Sequence, residues 1–501
     1  MKENKYSLFI DGEFVEGSTK EWFEVINPAD ESLVGLTAKA TVEDVEAAVQ
    51  AAKRAFDNGS WSRLSATKRA EVLLGMAEGM AARQRELANL MVEESGSTIH
   101  KATMEVILSI NTLKYYADLI RTPYTYEAIV PNDDAFIYSY NFVQREPIGV
   151  CAGIVPWNFP LAVGFWKIAP GLAAGNTMVI KVPTEAPLVL MEIAKIAQDA
   201  GLPKGVLNIV AGAGRVVGEY LAAHPQVDKI SFTGSTGVGK RILELSSASN
   251  LKIATLELGG KSANIILEDA DLAVAIDGSL FATMLHSGQV CESGTRLLVP
   301  KSRYDEVIEG LVSRAKTIKV GDPSKEETGM GPIISKKQKE KIEEYIQIGI
   351  KEGAKRVLGE EALQGKVYEK GFWVPPTIFA DVNNQMTIAR EEIFGPVVSV
   401  IPYKSEAEAI AIANDSIYGL AGGVWSKDQR RAVEVAKRMH TGTIWVNSYH
   451  LLNPIAPFGG YKQSGLGREL GIQGLLAYTQ SKHIHVDLEN DGGSRYRWML
   501  P

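Results

Sequence analysis

From about residue 177 the chain alternates short apolar runs with amphipathic stretches, each pair separated by a glycine or proline turn. Thr177–Val182, Val206–Val210, Lys229–Phe232 and Ile253–Leu258 read as buried strands, and Pro187–Ala200, Arg215–Ala223 and Val238–Ser247 as the helices between them. Strict strand–helix alternation with short turns predicts a doubly wound parallel sheet. Upstream, Val42–Phe56, Ala66–Ser95 and Ile99–Leu119 carry the helical period. Tyr124–Glu146 breaks it: Phe136–Val143 alternates and is rich in aromatic and β-branched residues, the signature of a strand that needs a partner. Ile484–Leu488 alternates as well and could supply it, which predicts a small β extension that engages a second subunit. After Gly260 a second α/β region follows, with helices over Ala270–Leu285, Tyr304–Ala315 and Lys336–Lys351 and strands over Leu297–Val299 and the end of Glu391–Tyr403. No fixed-period repeat is evident.

At 501 residues the chain is too long for one core. A formal net charge of −7, with both signs mixed along the chain, leaves no electrostatic footprint for nucleic acid or an anionic membrane. The 2 cysteines, Cys151 and Cys291, argue against a disulfide scaffold, and the 7 scattered histidines show no metal-ligand spacing. The N-terminus mixes charges and lacks an apolar segment, so the expected compartment is the cytoplasm. Residues 148–180 are nearly free of charge, Lys167 being the exception, and could span a bilayer by length alone. Pro156, Asn158, Pro160, Pro170 and Gly171 would leave backbone groups unpaired in lipid, so a buried loop and helix is the expectation.

Two glycine-rich turns carry candidate chemistry. Gly234-Ser235-Thr236-Gly237-Val238-Gly239-Lys240 follows a strand and opens a helix, where backbone N–H groups favour phosphate. It matches the start of an NTPase phosphate loop, but Arg241 stands where a magnesium-binding hydroxyl is required. Gly212-Ala213-Gly214-Arg215-Val216-Val217-Gly218 approaches a dinucleotide fingerprint with its third glycine one residue late. Each turn alone is as well read as a plain helix start. Together they lie at strand ends, where open α/β sheets bind nucleotides, and Lys181 at the end of a preceding strand could hydrogen-bond a ribose hydroxyl.

Glu257, in Leu256-Glu257-Leu258-Gly259-Gly260-Lys261, and Cys291, in Gly288-Gln289-Val290-Cys291, are the thiol and carboxylate needed to attack a carbonyl and hydrolyse the resulting thioester. A lone cysteine is ordinarily a small buried hydrophobe. The surroundings overturn that prior. With Pro156-Trp157-Asn158-Phe159-Pro160, Phe232-Thr233-Gly234-Ser235, Glu391-Glu392-Ile393-Phe394-Gly395-Pro396 and Pro457–Gly465, these motifs resemble the NAD(P)-dependent aldehyde dehydrogenase family over nearly the whole chain.

The resemblance implies an α/β fold: a Rossmann-like cofactor domain (1–123 and 147–258), an α/β catalytic domain (259–461), a β oligomerisation extension (124–146 and 475–490) and a tail (491–501), in a homotetramer or dimer. It implies that Cys291 attacks the aldehyde, that the Asn158 amide and the Cys291 backbone N–H hold the oxyanion, and that Glu257 activates water. NAD or NADP would contact Trp157, Lys181, Thr184, Gly214, Arg215, Gly234, Ser235, Glu392 and Phe394. Glu469 matches a family glutamate credited with proton relay, although a carboxylate at a helix start has an ordinary capping explanation. Phe159, Trp166, Leu452 and Phe458 match the substrate tunnel, against a plain core-packing role.

Three features depart from the pattern or leave it open. Thr184 stands where NAD-specific relatives carry a glutamate, with Glu185 next to it, and Lys181 and Arg215 could neutralise a 2′-phosphate, so NADP is expected beside NAD. Glu292 follows the thiol and would raise its pKa if it faced the sulfur; solvent exposure or a basic partner is expected. The tunnel residues suit medium-chain aliphatic or aromatic aldehydes, with a cationic betaine-type aldehyde as an alternative through cation–π contact. A cofactor-independent thioester or ester hydrolase using the same cysteine, and a redox-inactive binding protein, are the competing classes. In the tail, Tyr496 and Trp498 either remain disordered or dock on a neighbouring subunit.

Overall fold

Strand Val150–Ile154 lies at the centre of an eight-stranded sheet and dictates where a ligand can sit. On one side it pairs in parallel with Thr177–Val182 and then Leu207–Ala211; on the other it pairs with Lys229–Thr233 and then Ile253–Glu257. The chain therefore builds outward in one direction, returns to the central strand, and builds outward in the other. That reversal opens a crevice beyond the carboxyl ends of the central strands. Leu8–Ile10 followed by Glu13–Val15 closes one flank and Gly465–Leu466 the other, all in antiparallel pairing.

The computed structural model describes residues 4–122, 124, 139–488 and 499, and the backbone of 126–129. A second, seven-stranded sheet has six parallel strands, in the order Thr377–Ala380, Val397–Tyr403, Arg296–Pro300, Ala263–Ile266, Ala421–Trp425 and Thr443–Val446, with Lys355–Leu358 antiparallel at one edge. The fold is α/β, as the alternation predicts. Helix Pro160–Ala174 is buried along its whole length between strands Val150–Ile154 and Thr177–Val182, so the charge-poor segment is interior to the protein. Among the described residues no helix is long and apolar enough to cross a membrane.

The three N-terminal helical stretches form with one correction. Ala66–Ser95 is two helices, Ala66–Ala82 and Gln84–Ser95, broken at Arg83 (φ −108°, ψ 16°). Arg83 reaches across to Glu192 and Glu86, a tertiary contact that the local helical period does not report. Arg215–Ala223 also departs from a plain helix: a π turn over Gly214–Gly218 precedes helix Glu219–Ala223.

Strand Thr479–Asp487 pairs antiparallel along all of Ser139–Pro147, setting Ile484 opposite Phe142 and Val486 opposite Tyr140. Tyr126–Ile129 pairs on the other side of Ser139–Pro147. The partner expected for the alternating stretch is thus the C-terminal one. Phe136, Ile137 and Tyr138 lie outside the described residues, as do Tyr496 and Trp498 of the tail.

Candidate active site

Asn158 sits in the turn between the central strand and helix Pro160–Ala174, at the point where the sheet order reverses. Its Nδ2 donates to the Gln289 carbonyl at 2.9 Å. An amide carries two N–H donors, so one remains for a ligand. The turn is braced from beneath by a buried ion pair on helix Ile99–Leu119. Lys101 Nζ donates to the Asn158 carbonyl at 2.7 Å and to Glu105, while Glu105 Oε1 accepts the first helical amides, Leu161 at 2.9 Å and Ala162 at 3.0 Å. Lys101 also stands 4.0 Å from the centre of the Phe159 ring.

Cys291 lies between helix Leu272–Met284 and strand Arg296–Pro300. The approach is contorted: His286, Ser287 and Gly288 adopt left-handed φ of 50°, 55° and 72° in succession. A Cβ on Gly288 would fall 2.1 Å from the Gly395 carbonyl, so space as well as φ demands glycine there. Side chains hold the bend, through Ser287 Oγ to the Gly331 carbonyl at 2.7 Å and Gln289 Nε2 to the His286 carbonyl at 3.0 Å. Such strain persists only where the surroundings over-determine it.

The thiol is pushed well above its ordinary range, first by burial and then by Glu292, Glu392 and Glu257. Glu292 does face the sulfur: Sγ donates to Oε2 at 3.1 Å. It also has the basic partner that the sequence analysis allowed, His450, whose Nδ1 lies 3.1 Å from Oε1. Burial raises the Glu292 carboxyl, but the hydrogen bond and charge of His450 outweigh it and leave the group below its ordinary value.

Glu257 is the last residue of its strand and is 3% exposed, yet among the described residues neither carboxylate oxygen has a hydrogen-bond partner. Burial and then the charge of Glu469 push its pKa well above the carboxylate range, against Lys167 and Arg468. Glu469 is not a helix cap, which corrects the ordinary explanation offered for it. Its Oε1 accepts from Lys167 Nζ at 2.8 Å and from Ser231 Oγ at 2.7 Å, and its backbone bridges Phe458. Lys167 also donates to Thr233 Oγ1 at 2.8 Å. The lone charge in an apolar stretch was the available signal for Lys167.

One cleft of about 1000 Å³, open solvent at its mouth included, collects Asn158, Glu257, Cys291 and Glu292. Trp157, Gly234, Ser235, Glu392 and Phe394 line the same space, and so do Phe159, Trp166, Leu452 and Phe458. The four tunnel positions form an apolar cluster with Val163, Leu420 and Leu470 that reaches Cys291, the Trp166 and Phe458 rings lying 5.2 Å apart. Packing and cavity lining are both true of them. Glu392 Oε1 accepts the Gly260 amide at 2.9 Å, and Phe394, at φ 61°, meets Trp157 edge-on at 5.4 Å. Helix Lys336–Lys351 fixes this loop: Gln338 donates to the Phe394 carbonyl at 2.9 Å and Lys341 to the Glu392 carbonyl at 3.2 Å.

Lys181, Thr184, Gly214 and Arg215 lie outside that cleft. Lys181 is 6% exposed, and burial lowers its pKa. Thr184 and Glu185, joined by a 2.9 Å hydrogen bond, line a neighbouring groove with Lys336 and Lys337; Arg215 is exposed and does not line it. Whether this wall suits a dinucleotide is tested by its glycines. At Gly214 and Gly237 a Cβ would meet nothing within 4 Å, and neither residue has a positive φ, so neither packing nor conformation explains the bare backbone. Ser235 caps helix Thr236–Ser249, leaving the N-terminal amides of that helix at the mouth of the crevice. The residues fit a dinucleotide. Among the described residues no cluster of potential metal ligands occurs.

A profile of the aldehyde dehydrogenase family matches residues 14–484. This chain belongs to the aldehyde dehydrogenase family. Over 487 residues it is 44% identical to a betaine aldehyde dehydrogenase of Bacillus subtilis (strain 168), covering 96% of this chain and 97% of that protein. It is 42% identical to an aldehyde dehydrogenase of Aspergillus niger, covering 97% and 96%. Among solved structures, a betaine aldehyde dehydrogenase of Staphylococcus aureus in complex with NAD+ superposes with a TM-score of 0.93 at 39% identity, covering 96% of this chain and 95% of that one. An aldehyde dehydrogenase variant of Bacillus cereus gives a TM-score of 0.93 at 42% identity, covering 97% of each.

Proposed function

We propose that the protein oxidises apolar aldehydes to carboxylic acids with NAD or NADP, through a thioester on Cys291. The observation that carries this reading is one cleft that brings together a thiol, a free amide donor on Asn158 and an unpartnered carboxylate on Glu257. Cys291 Sγ attacks the carbonyl carbon, and the free Asn158 N–H with the Cys291 backbone N–H receives the developing oxyanion. Trp157, Lys181, Ser235, Glu392 and Phe394 would hold a nicotinamide cofactor, which when bound would supply the two-electron acceptor for the aldehyde hydride. Glu257 then takes a proton from water as it attacks the thioester; the raised pKa makes its carboxylate a stronger base than an exposed glutamate. Lys167 and Glu469, hydrogen-bonded to each other at 2.8 Å, set the charge around Glu257, Glu469 raising its pKa and Lys167 opposing that rise.

Substrate and cofactor choice follow from the walls. Phe159, Trp166, Phe458 and Leu452 suit medium-chain aliphatic or aromatic aldehydes. The names of the Bacillus subtilis and Staphylococcus aureus relatives favour a second reading, a quaternary-ammonium aldehyde held against Trp166 and Phe458. In the groove beside Thr184, Glu185 can accept ribose hydroxyls, while Lys336 and Lys337 can neutralise a 2′-phosphate, supporting the use of both cofactors. The exposed outer edge of strand Thr479–Asp487 supports oligomerisation through the β extension.

The test is reduced-nicotinamide absorbance with aliphatic, aromatic and quaternary-ammonium aldehydes, each with NAD and NADP. Apolar aldehydes are expected to give the highest kcat/KM. An NAD preference above about a hundredfold, ~2.7 kcal/mol, overturns dual cofactor use. Thioester or ester hydrolysis with no absorbance change for any aldehyde overturns the dehydrogenase reading.

A further inference from the structure

Glu292 touches the sulfur and takes part in none of the steps above. Its Oε2 accepts from Sγ at 3.1 Å, Oε1 lies 3.1 Å from His450 Nδ1, and His450 Nε2 lies 3.1 Å from the Ala282 carbonyl. A carbonyl oxygen can only accept, so Nε2 carries a proton. A single proton is then shared between Nδ1 and Oε1, and the pair as a whole is neutral. Oε2 keeps a lone pair aimed at the thiol.

The arrangement is built rather than incidental. Glu292 and His450 are 5% and 6% exposed, and the Tyr449 hydroxyl donates to the Glu292 carbonyl at 2.8 Å. The His450 ring packs edge-on against Phe281 at 5.4 Å and Tyr449 at 4.9 Å, on a backbone held at φ 60°. A buried carboxylate and imidazole cost several kcal/mol in desolvation unless each satisfies the other.

We infer that the Glu292–His450 pair is the base that takes the Cys291 proton during attack on the aldehyde. The S–H bond breaks and an O–H bond forms at Glu292 Oε2; the sulfur lone pair forms the S–C bond, and the carbonyl π electrons move to oxygen. His450 holds the surplus positive charge that appears on the pair as negative charge appears on the substrate oxygen. When the thioester is hydrolysed, sulfur leaves as thiolate and recovers the proton from Oε2. Two protons are thus handled by two carboxylates, Glu292 for the thiol and Glu257 for water. The inference rests on Cys291 being the nucleophile.

A carboxylate that only repelled the thiolate would act with the opposite sign, which makes the question decidable. Glu257 and Glu392 also face the sulfur, Tyr449 lies beside it, and Arg296 stands behind Tyr449; all four stay unchanged in the variants below. The experiment is the second-order rate of iodoacetamide alkylation of Cys291 against pH, read by mass spectrometry on the full-length enzyme without cofactor, with C291A as the blank. In E292Q the rate near pH 7 should fall by about ten- to a hundredfold. It should converge on the wild type only above the raised thiol pKa, beyond the ordinary thiol range of about 8.5. H450Q should fall in the same direction by less. An E292Q rate at pH 7 equal to or above the wild type overturns the inference. If circular dichroism shows E292Q unfolded, H450Q decides by the same criterion. Failure of the nucleophile assignment itself would appear separately, as dehydrogenase activity retained by C291A.

Discussion

The Asn158 turn and the Glu257 strand end border the same cleft and are finished in opposite ways. Around Asn158 polar groups are spoken for: Lys101 holds its carbonyl, Gln289 holds one amide hydrogen, and Glu105 caps the helix that follows. Around Glu257 they are not: both of its oxygens, and Oε2 of Glu469, are buried without a partner among the described residues. A group that must present a donor at a fixed point gains from being braced. One that must exchange protons gains from being left open, because desolvation strengthens it as a base. The contrast supports the proposed division of labour, positioning at Asn158 and proton transfer at Glu257.

Glu257→Gln should break the open side with the largest effect, a fall in kcat of up to about 10⁴-fold. Because the loss falls on hydrolysis of the thioester, rapid-mixing absorbance should still show a burst of reduced nicotinamide in the first turnover. The sign of the pH effect follows from the raised pKa: Glu257 is a base only when deprotonated, so kcat in the wild type rises as pH climbs through that raised value. The limb should vanish in the variant. Asn158→Ala tests the braced side and should cost about 10²–10³-fold, with the burst itself slowed and no change in the pH limb. Lys101→Met removes the brace and leaves Glu105 buried without its cation. Denaturant unfolding should show a loss of about 3–5 kcal/mol. The surviving folded enzyme should lose only about tenfold in kcat/KM, ~1.4 kcal/mol. A Lys101→Met enzyme as impaired as Asn158→Ala would erase the distinction between brace and donor.

The doubly wound sheet was legible in the sequence because its evidence is local. A strand buried on both faces reads as a mostly apolar or β-branched run, as Thr177–Val182 does but for Lys181 near its end, and short turns leave little freedom between elements. The break at Arg83 was not legible: what accompanies it is a contact with Glu192 on another helix, which the local pattern does not report. Cys291, Glu257 and Asn158, which the structure brings to one cleft, each sit in a distinctive turn that the sequence marks. His450 does not: it meets Glu292 across 158 residues of sequence, in a loop with no compositional mark. Lys101 and Glu105 left a fainter trace, two opposite charges on the buried face of Ile99–Leu119, where ordinary patterning places apolar residues.

Between the two large sheets the chain passes twice, once from Glu257 to Ala263 and once from Val446 to Gly465. The first passage starts at Glu257 itself; the second carries His450, Leu452 and Phe458. They meet at Gly459, where a Cβ would fall 2.7 Å from Glu257 Oε1. The connectors between the halves therefore border the candidate site, completing a cleft to which one half brings Asn158 and the other Cys291, and the halves are not interchangeable modules. A chimera that exchanged either sheet with a relative's would have to be cut through one of these passages, and it would inherit a hybrid reaction centre rather than a new specificity on an old one.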